Sequence, residues 1–234
     1  MSKIIFLFVI LVQSIFSKEI LISGAASLKE YLEKNIQEYK KIDPNLNITL
    51  NLGGSGTLKR QLEQGGDVDI IFLANRDYMI DLKDNNYIFN EEVILENSLV
   101  LIKNNTTSSN SGTLAIGDPQ YVPAGQYATE VLNHLPLESY SLVYGKDVRS
   151  VLSYVELGEA DFGIIYLTDT KLLKNSKIVE VFPKNLHKPI EYSIGISKTT
   201  KNKEDAENFL EFLKGKNWEW LHLLNCLWVL FFYL

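Results

Sequence analysis

The 234-residue chain holds a single cysteine, Cys226, so no internal disulfide can brace it. Histidine is nearly as scarce. His134, His187 and His222 stand far apart, and no paired Cys/His spacing of a metal site occurs. None of the three lies in a segment that reads as a base beside a serine nucleophile. Basic runs and aromatic-basic stripes are missing, and the net charge is −6, which argues against nucleic acid as a partner. That balance still permits an anionic ligand, because a local site can oppose the global charge. No Gly-Lys-Ser/Thr closes a glycine loop and no G-x-G-x-x-G occurs, which sets aside a Walker loop and a dinucleotide fingerprint. The chain also lacks an internal repeat and a helix-turn-helix segment.

The start of the chain reads as an export signal over residues 1–17. Lys3 gives the positive start, Ile4 to Val12 the apolar core, and Ser14 to Ser17 the small residues before a cut near Ser17–Lys18. The apolar core is short for a membrane span. No cysteine stands near the cut, so a lipid-anchored start is not supported. The expected location is the periplasm.

Beyond the leader, strand-like and helix-like segments alternate, the pattern of an α/β fold. Leu46, Ile48, Leu50 and Leu52 alternate with polar residues as in a half-buried strand. Leu28, Tyr31, Leu32, Ile36 and Tyr39 recur at helical spacing. Two apolar strands, around Leu99–Ile102 and Tyr192–Ile196, fit a chain that crosses to a second lobe and later returns. The expected division is a first lobe over 18–98 plus 192–216 and a second over 99–191, each a mixed sheet flanked by helices, with the ligand in the cleft between them.

Two joints share one form. Ile20 to Ser27 is a β-like run ending in small residues, followed at once by the helical Leu28 to Leu32. Ile48 to Gly56 does the same before Thr57 to Leu62, through Gly53-Gly54-Ser55-Gly56. A hydroxyl at a helix start sits beside unpaired N–H groups and the positive end of the helix dipole. Ser27 with Glu30 also fits a Ser-x-x-Glu capping box, and Ser55 fits a turn serine in a loop whose glycines let the backbone approach a ligand. Pro123 pre-sets a third helix start and frees the N–H of Ala124. Asp147 reads as the cap of a fourth, with the N–H of Val148 beyond it. Gly163-Ile164-Ile165-Tyr166 ends a strand with a phenol.

In this order the segments resemble the molybdate-binding proteins of bacterial ABC transporters, type II periplasmic binding proteins. The blocks that carry the resemblance are Ala25-Ala26-Ser27-Leu28, Gly54-Ser55-Gly56-Thr57-Leu58-Lys59-Arg60-Gln61, Gly117-Asp118-Pro119 through Val122-Pro123-Ala124-Gly125, Asp147-Val148-Arg149 and Gly163-Ile164-Ile165-Tyr166. The resemblance covers about Glu19 to Lys216. It implies a receptor that takes molybdate or tungstate and hands it to a membrane permease, as a monomer, with no cofactor and no enzymatic turnover. It implies five ligand contacts: the hydroxyls of Ser27, Ser55 and Tyr166 and the backbone N–H groups of Ala124 and Val148. No residue would ligate molybdenum directly. Arg60 and Arg149 are either direct anion ligands or ties between helices and lobes, and the family pattern favours the ties.

A donor-only pocket suits molybdate, a tetrahedral dianion with no proton to give. It disfavours protonated phosphate, whose O–H would be left unpaired. Sulfate matches in charge and shape, so only size can exclude it. The alternatives are a receptor for another tetrahedral oxyanion such as sulfate, a hydrolase or phosphoryl-transfer enzyme built on Ser55, and the sensing domain of a regulator. Two departures from the family stand out. The loop between Lys103 and Thr113 is short, and residues 217–234 are nearly unbroken apolar sequence, read here as the product of a reading-frame change near codon 217.

Overall fold

The computed structural model describes residues 18–216 except 109–111 and 135–139. The expected leader, the 217–234 tail with Cys226, and part of the short loop lie outside the described residues.

Two five-stranded mixed sheets form the frame. In the first, β1 (Lys18–Ala25) lies parallel to β2 (Leu46–Gly53) and β3 (Ile70–Leu73). The last strand, β10 (Ile190–Ile196), pairs antiparallel with β3 and with β4 (Glu92–Asn97). The second sheet repeats this plan: β6 (Gly112–Gly117) lies parallel to β7 (Tyr140–Gly145) and β8 (Phe162–Tyr166). Beyond β8 come β5 (Leu99–Asn104) and β9 (Ser176–Val181), both antiparallel. Strands β3 and β8 are buried at every residue, as short apolar runs inside a sheet must be.

The chain is thus an α/β protein of two lobes, joined by two crossings. One is the single residue Ser98, between β4 and β5. The other runs from Phe182 to Pro189, between β9 and β10. The crossings lie side by side, since Asn97 pairs with Ile190 on one side and the N–H of Phe182 donates to the carbonyl of Leu99 (3.0 Å) on the other. Strand β10 begins two residues before the expected Tyr192, so Ile190 and Glu191 pair with the first sheet. Strands β4 and β9 were not legible as strands. β9 is exposed at most positions and shows no apolar alternation.

Helices follow the parallel strands: α1 (Lys29–Tyr39), α2 (Ser55–Glu63) and α3 (Arg76–Asp84) in the first lobe, α4 (Pro123–Leu132) and α5 (Val148–Glu156) in the second. A final helix, α6 over residues 203–216, returns to the first lobe, where Phe209 packs edge-on against Tyr39 with ring centroids 5.1 Å apart. The short 3-10 segments Ala26–Leu28 and Leu167–Leu172 follow β1 and β8.

Candidate functional site

Strand register sets the site. Ala25 pairs with Gly53 at the carboxyl ends of β1 and β2, and Gly117 with Gly145 at those of β6 and β7. Each serine lies two residues past the first of these pairs. Ser27 sits in the 3-10 turn after β1 and Ser55 is the first residue of α2. From the other lobe, Ala124 is the second residue of α4 and Val148 the first of α5. Neither N–H has an intrahelical acceptor at those positions. Tyr166 closes β8. All five residues are buried. Ser27, Ser55, Val148 and Tyr166 line one pocket, together with Gly53, Gly54, Ala74, Pro123 and Asp147, and Ala124 follows the lining Pro123. Ligands of open α/β sheets bind at the carboxyl ends of strands, and here both lobes offer those ends to one cleft.

The pocket holds about 210 Å³ of atom-free space, its mouth included. Its enclosed part is far smaller, with no room for a drug-sized ligand. A wider groove of about 710 Å³ lies at the far end of α2, lined by Gln61, Gln64, Gly65 and Asp67 among others. Although larger, it receives the negative end of the α2 dipole, and no side chain lining it has a buried unpaired polar atom among the described residues. The smaller pocket is therefore the better anion site.

Each hydroxyl has a distinct environment. The Ser55 hydroxyl oxygen accepts from the N–H of Ala74 (3.0 Å). Ser27 Oγ lies 3.0 Å from the Tyr192 hydroxyl, and the Tyr192 oxygen accepts from Asn97 Nδ2 (2.8 Å). The hydroxyl of Tyr166, a residue only 2% exposed, has no hydrogen-bond partner among the described residues. Burial pushes the Tyr166 pKa far up, so the group keeps its proton and is a donor. An unpaired buried hydroxyl costs about 1–3 kcal/mol, which marks it as a group made for something outside the protein. No lysine or arginine lines the pocket. Asp147 does, but its carboxylate accepts from the N–H of Ser150 (2.8 Å), so the expected cap of α5 is in place, as part of a capping box.

Three expectations need correction or completion. Ser27 and Glu30 do not form a capping box: α1 starts at Lys29, its cap residue Leu28 makes no side-chain bond, and Ser27 turns to Tyr192 instead. The 3-10 turn displaces the helix start past Ser27 and frees Glu30 to reach across the cleft. Second, what comes close to the glycine loop is the opposite lobe's backbone. A Cβ on Gly56 would lie 2.7 Å from the carbonyl oxygen of Tyr121, and one on Gly54 2.9 Å from that of Lys146. The Gly56 N–H also donates to Tyr121 O (2.9 Å), an inter-lobe bond. Third, the two arginines are ties. The Arg60 guanidinium stacks over the Tyr121 ring at 4.5 Å. Arg149 pairs with Glu30 of α1 and lies 3.1 Å from Asp169.

The Arg149–Asp169 contact is an ion pair by distance only. The buried Asp169 carboxylate oxygens have no hydrogen-bond donor among the described residues, so the angle fails where the distance succeeds. Burial pushes the Asp169 pKa up to about 7, and Arg149 offsets only part of that. Glu30 goes the other way. Burial raises it, but the hydrogen bonds and charge it receives, chiefly from Arg149, leave its pKa below the usual carboxylate range. Among the described residues no group of three or more His, Cys, Asp or Glu could hold a metal ion.

Comparison with known proteins decides the kinship. The family described as bacterial extracellular solute-binding protein matches residues 20–218. The chain belongs to this family. Among its extracellular solute-binding relatives is a protein of Bacillus subtilis named as a candidate ABC transporter substrate-binding lipoprotein YvgL. It is 39% identical over 83% of this chain and 80% of its own. The molybdate-binding protein ModA of Haemophilus influenzae is 36% identical over 85% of each chain. A solved structure, the substrate-binding domain of a candidate molybdenum ABC transporter from Clostridium difficile, is 38% identical with a TM-score of 0.65. It covers 85% of this chain and 93% of its own. Membership makes this a solute-binding protein that works outside the cytoplasm, and no enzyme family is involved. Sequence reasoning missed Tyr192 as the partner of Ser27, and Asn97 behind it, because the Ser27–Tyr192 contact spans 165 positions and a strand tyrosine reads as packing.

Proposed function

We propose that the protein captures molybdate, and tungstate of nearly the same size, and delivers it to an ABC permease. The hydroxyls of Ser27, Ser55 and Tyr166 and the N–H groups of Ala124 and Val148 donate to the four oxygens. The observation that carries this reading is the Tyr166 hydroxyl, protonated, buried and unpaired, at a pocket lined by two more hydroxyls and two helix starts without a basic side chain. The helix N-termini supply positive potential in place of lysine. Charge-assisted hydrogen bonds contribute about 1.5–3 kcal/mol each, so five can offset the lost hydration of a dianion. The names of the molybdate-binding relatives support the same ligand. The receptor works as a monomer in the periplasm after its leader is cut near Ser17, and it turns nothing over.

Calorimetric titration with molybdate, tungstate, sulfate and hydrogen phosphate tests the reading. Tight binding of the first two and weak binding of the others is expected. Tight sulfate or phosphate binding without molybdate binding overturns it.

A further inference from the structure

Ser27 and Ser55 can serve a proton-free anion only if their own protons face it. A serine hydroxyl is ambivalent, with one proton and two lone pairs. The surroundings of each serine bias that choice by occupying one lone pair with an internal donor. At Ser55 the backbone N–H of Ala74 occupies the oxygen as an acceptor, and an amide cannot reverse its role. At Ser27 the direction is set two residues away. Asn97 Oδ1 accepts from the N–H of Ser98 (2.9 Å) and from that of Thr168 (3.4 Å). This fixes the amide orientation, so its Nδ2 must donate, to Thr168 Oγ1 (2.9 Å) and to the Tyr192 hydroxyl (2.8 Å). The Tyr192 oxygen is then an acceptor. Its proton has one partner among the described residues, Ser27 Oγ, and Tyr192 is buried from any alternative in water.

We propose that Asn97 and Tyr192 are positioning residues that set solute specificity by forcing Ser27 to be a donor. The chain of polarity runs from two backbone amides through Asn97 and Tyr192 to Ser27, and ends with the Ser27 proton in the pocket. With Ser55 holding the Ala74 N–H and Tyr166 protonated, each hydroxyl has its proton free for the ligand before it arrives. A ligand that keeps a proton, such as hydrogen phosphate, must use a remaining lone pair against the direction in which these hydroxyls are already turned. This inference rests on the oxyanion reading above and deepens it, since it names what makes the site reject protonated anions.

The experiment uses Tyr192→Phe, which keeps the ring and removes only the hydroxyl, and Asn97→Asp, which keeps the shape and turns a donor into an acceptor. In the first, Ser27 regains its freedom to accept. In the second, the Tyr192 proton turns toward residue 97 and Ser27 donates inward. Molybdate affinity is measured directly, and hydrogen phosphate by its displacement of molybdate. Asn97→Asp is expected to lose about tenfold or more in molybdate affinity, the size of one charge-assisted hydrogen bond, and Tyr192→Phe, in which Ser27 can still donate, loses less. In Tyr192→Phe the affinity for hydrogen phosphate holds or rises, so the ratio of the two falls. Equal losses for both anions, the mark of a merely structural role, overturn the proposal, as does unchanged molybdate affinity in Asn97→Asp. If the unaltered protein binds no molybdate, it is the oxyanion reading that fails. If it binds molybdate and only the ratio stays fixed, the reading stands and the assignment of Asn97 and Tyr192 falls.

Discussion

Arg149, in the first turn of α5, donates a hydrogen bond to the carboxylate of Glu30 on α1, so one ion pair spans the cleft between the lobes. Both side chains are partly exposed, at 20% and 31%, which limits what the pair contributes. It forms only when the lobes are together, so it acts on closure. Arg149→Ala is expected to weaken molybdate binding by about three- to tenfold, with most of the loss in the dissociation rate. A double-mutant cycle with Glu30→Ala checks it: the second substitution should add little to the first. Full additivity of the two losses contradicts the tie.

The glycine loop should be sensitive to a single methyl group. A Cβ at Gly56 meets the Tyr121 carbonyl, which is backbone and cannot swing aside. Gly56→Ala is therefore expected to keep both lobes folded and hold them apart, with at least about a tenfold loss in affinity and little change in the melting temperature of the ligand-free protein. Gly215→Ala, where nothing lies within 4 Å, is the control.

Tyr166→Phe should move stability and binding in opposite directions. Without ligand, removing a buried unpaired hydroxyl relieves a cost of about 1–3 kcal/mol, so the melting temperature should hold or rise. With molybdate, a charge-assisted bond is lost and affinity should fall about tenfold to a hundredfold. A variant that melts lower without ligand would show that the hydroxyl is satisfied within the protein.

The pH dependence of stability should carry the mark of Asp169. Its pKa in the folded protein is raised to about 7, while the unfolded chain releases the proton near the usual value of about 3.9. A group raised on folding contributes stability in full below its unfolded pKa and loses it as pH climbs through the folded one. Asp169→Asn cannot ionise, so its melting temperature relative to the unaltered protein should improve between pH 5 and pH 8. An equal difference at both pH values would exclude the effect.

Much of this site was legible because it is local. Ser55, Ala124 and Val148 sit at helix starts announced by Gly53-Gly54, by Pro123 and by Asp147, and Tyr166 ends an apolar strand run. Short-range chemistry fixes such positions within a few residues. What stayed hidden is long-range. Glu30 looked like the partner of Ser27 because they share a capping spacing, yet its partner lies 119 positions away. Tyr192 and Asn97 reach Ser27 from strands β10 and β4, and no periodicity reports which strands become neighbours. Strand β4 pairs with the last strand of the sheet and not with its sequence neighbours, so its place could not be read from the order of segments.

The two crossings between the lobes differ in length, and this has a mechanical consequence. Ser98 alone spans one, while the other has the slack of Phe182 to Pro189. The short link behaves as a pivot pin and the long one as a strap beside it, so the swing of one lobe against the other is anchored at Ser98. Asn97 is next to that pin, and Tyr192 and Ser27 belong with it to the first sheet and its turn. Asn97, Tyr192 and Ser27 therefore move as one body, while Thr168, which also bonds Asn97, belongs to the second lobe beside the pin. On the proposed reading, an arriving anion would meet the serine half of the site first, and Ala124, Val148 and Tyr166 would reach it as the second lobe closes.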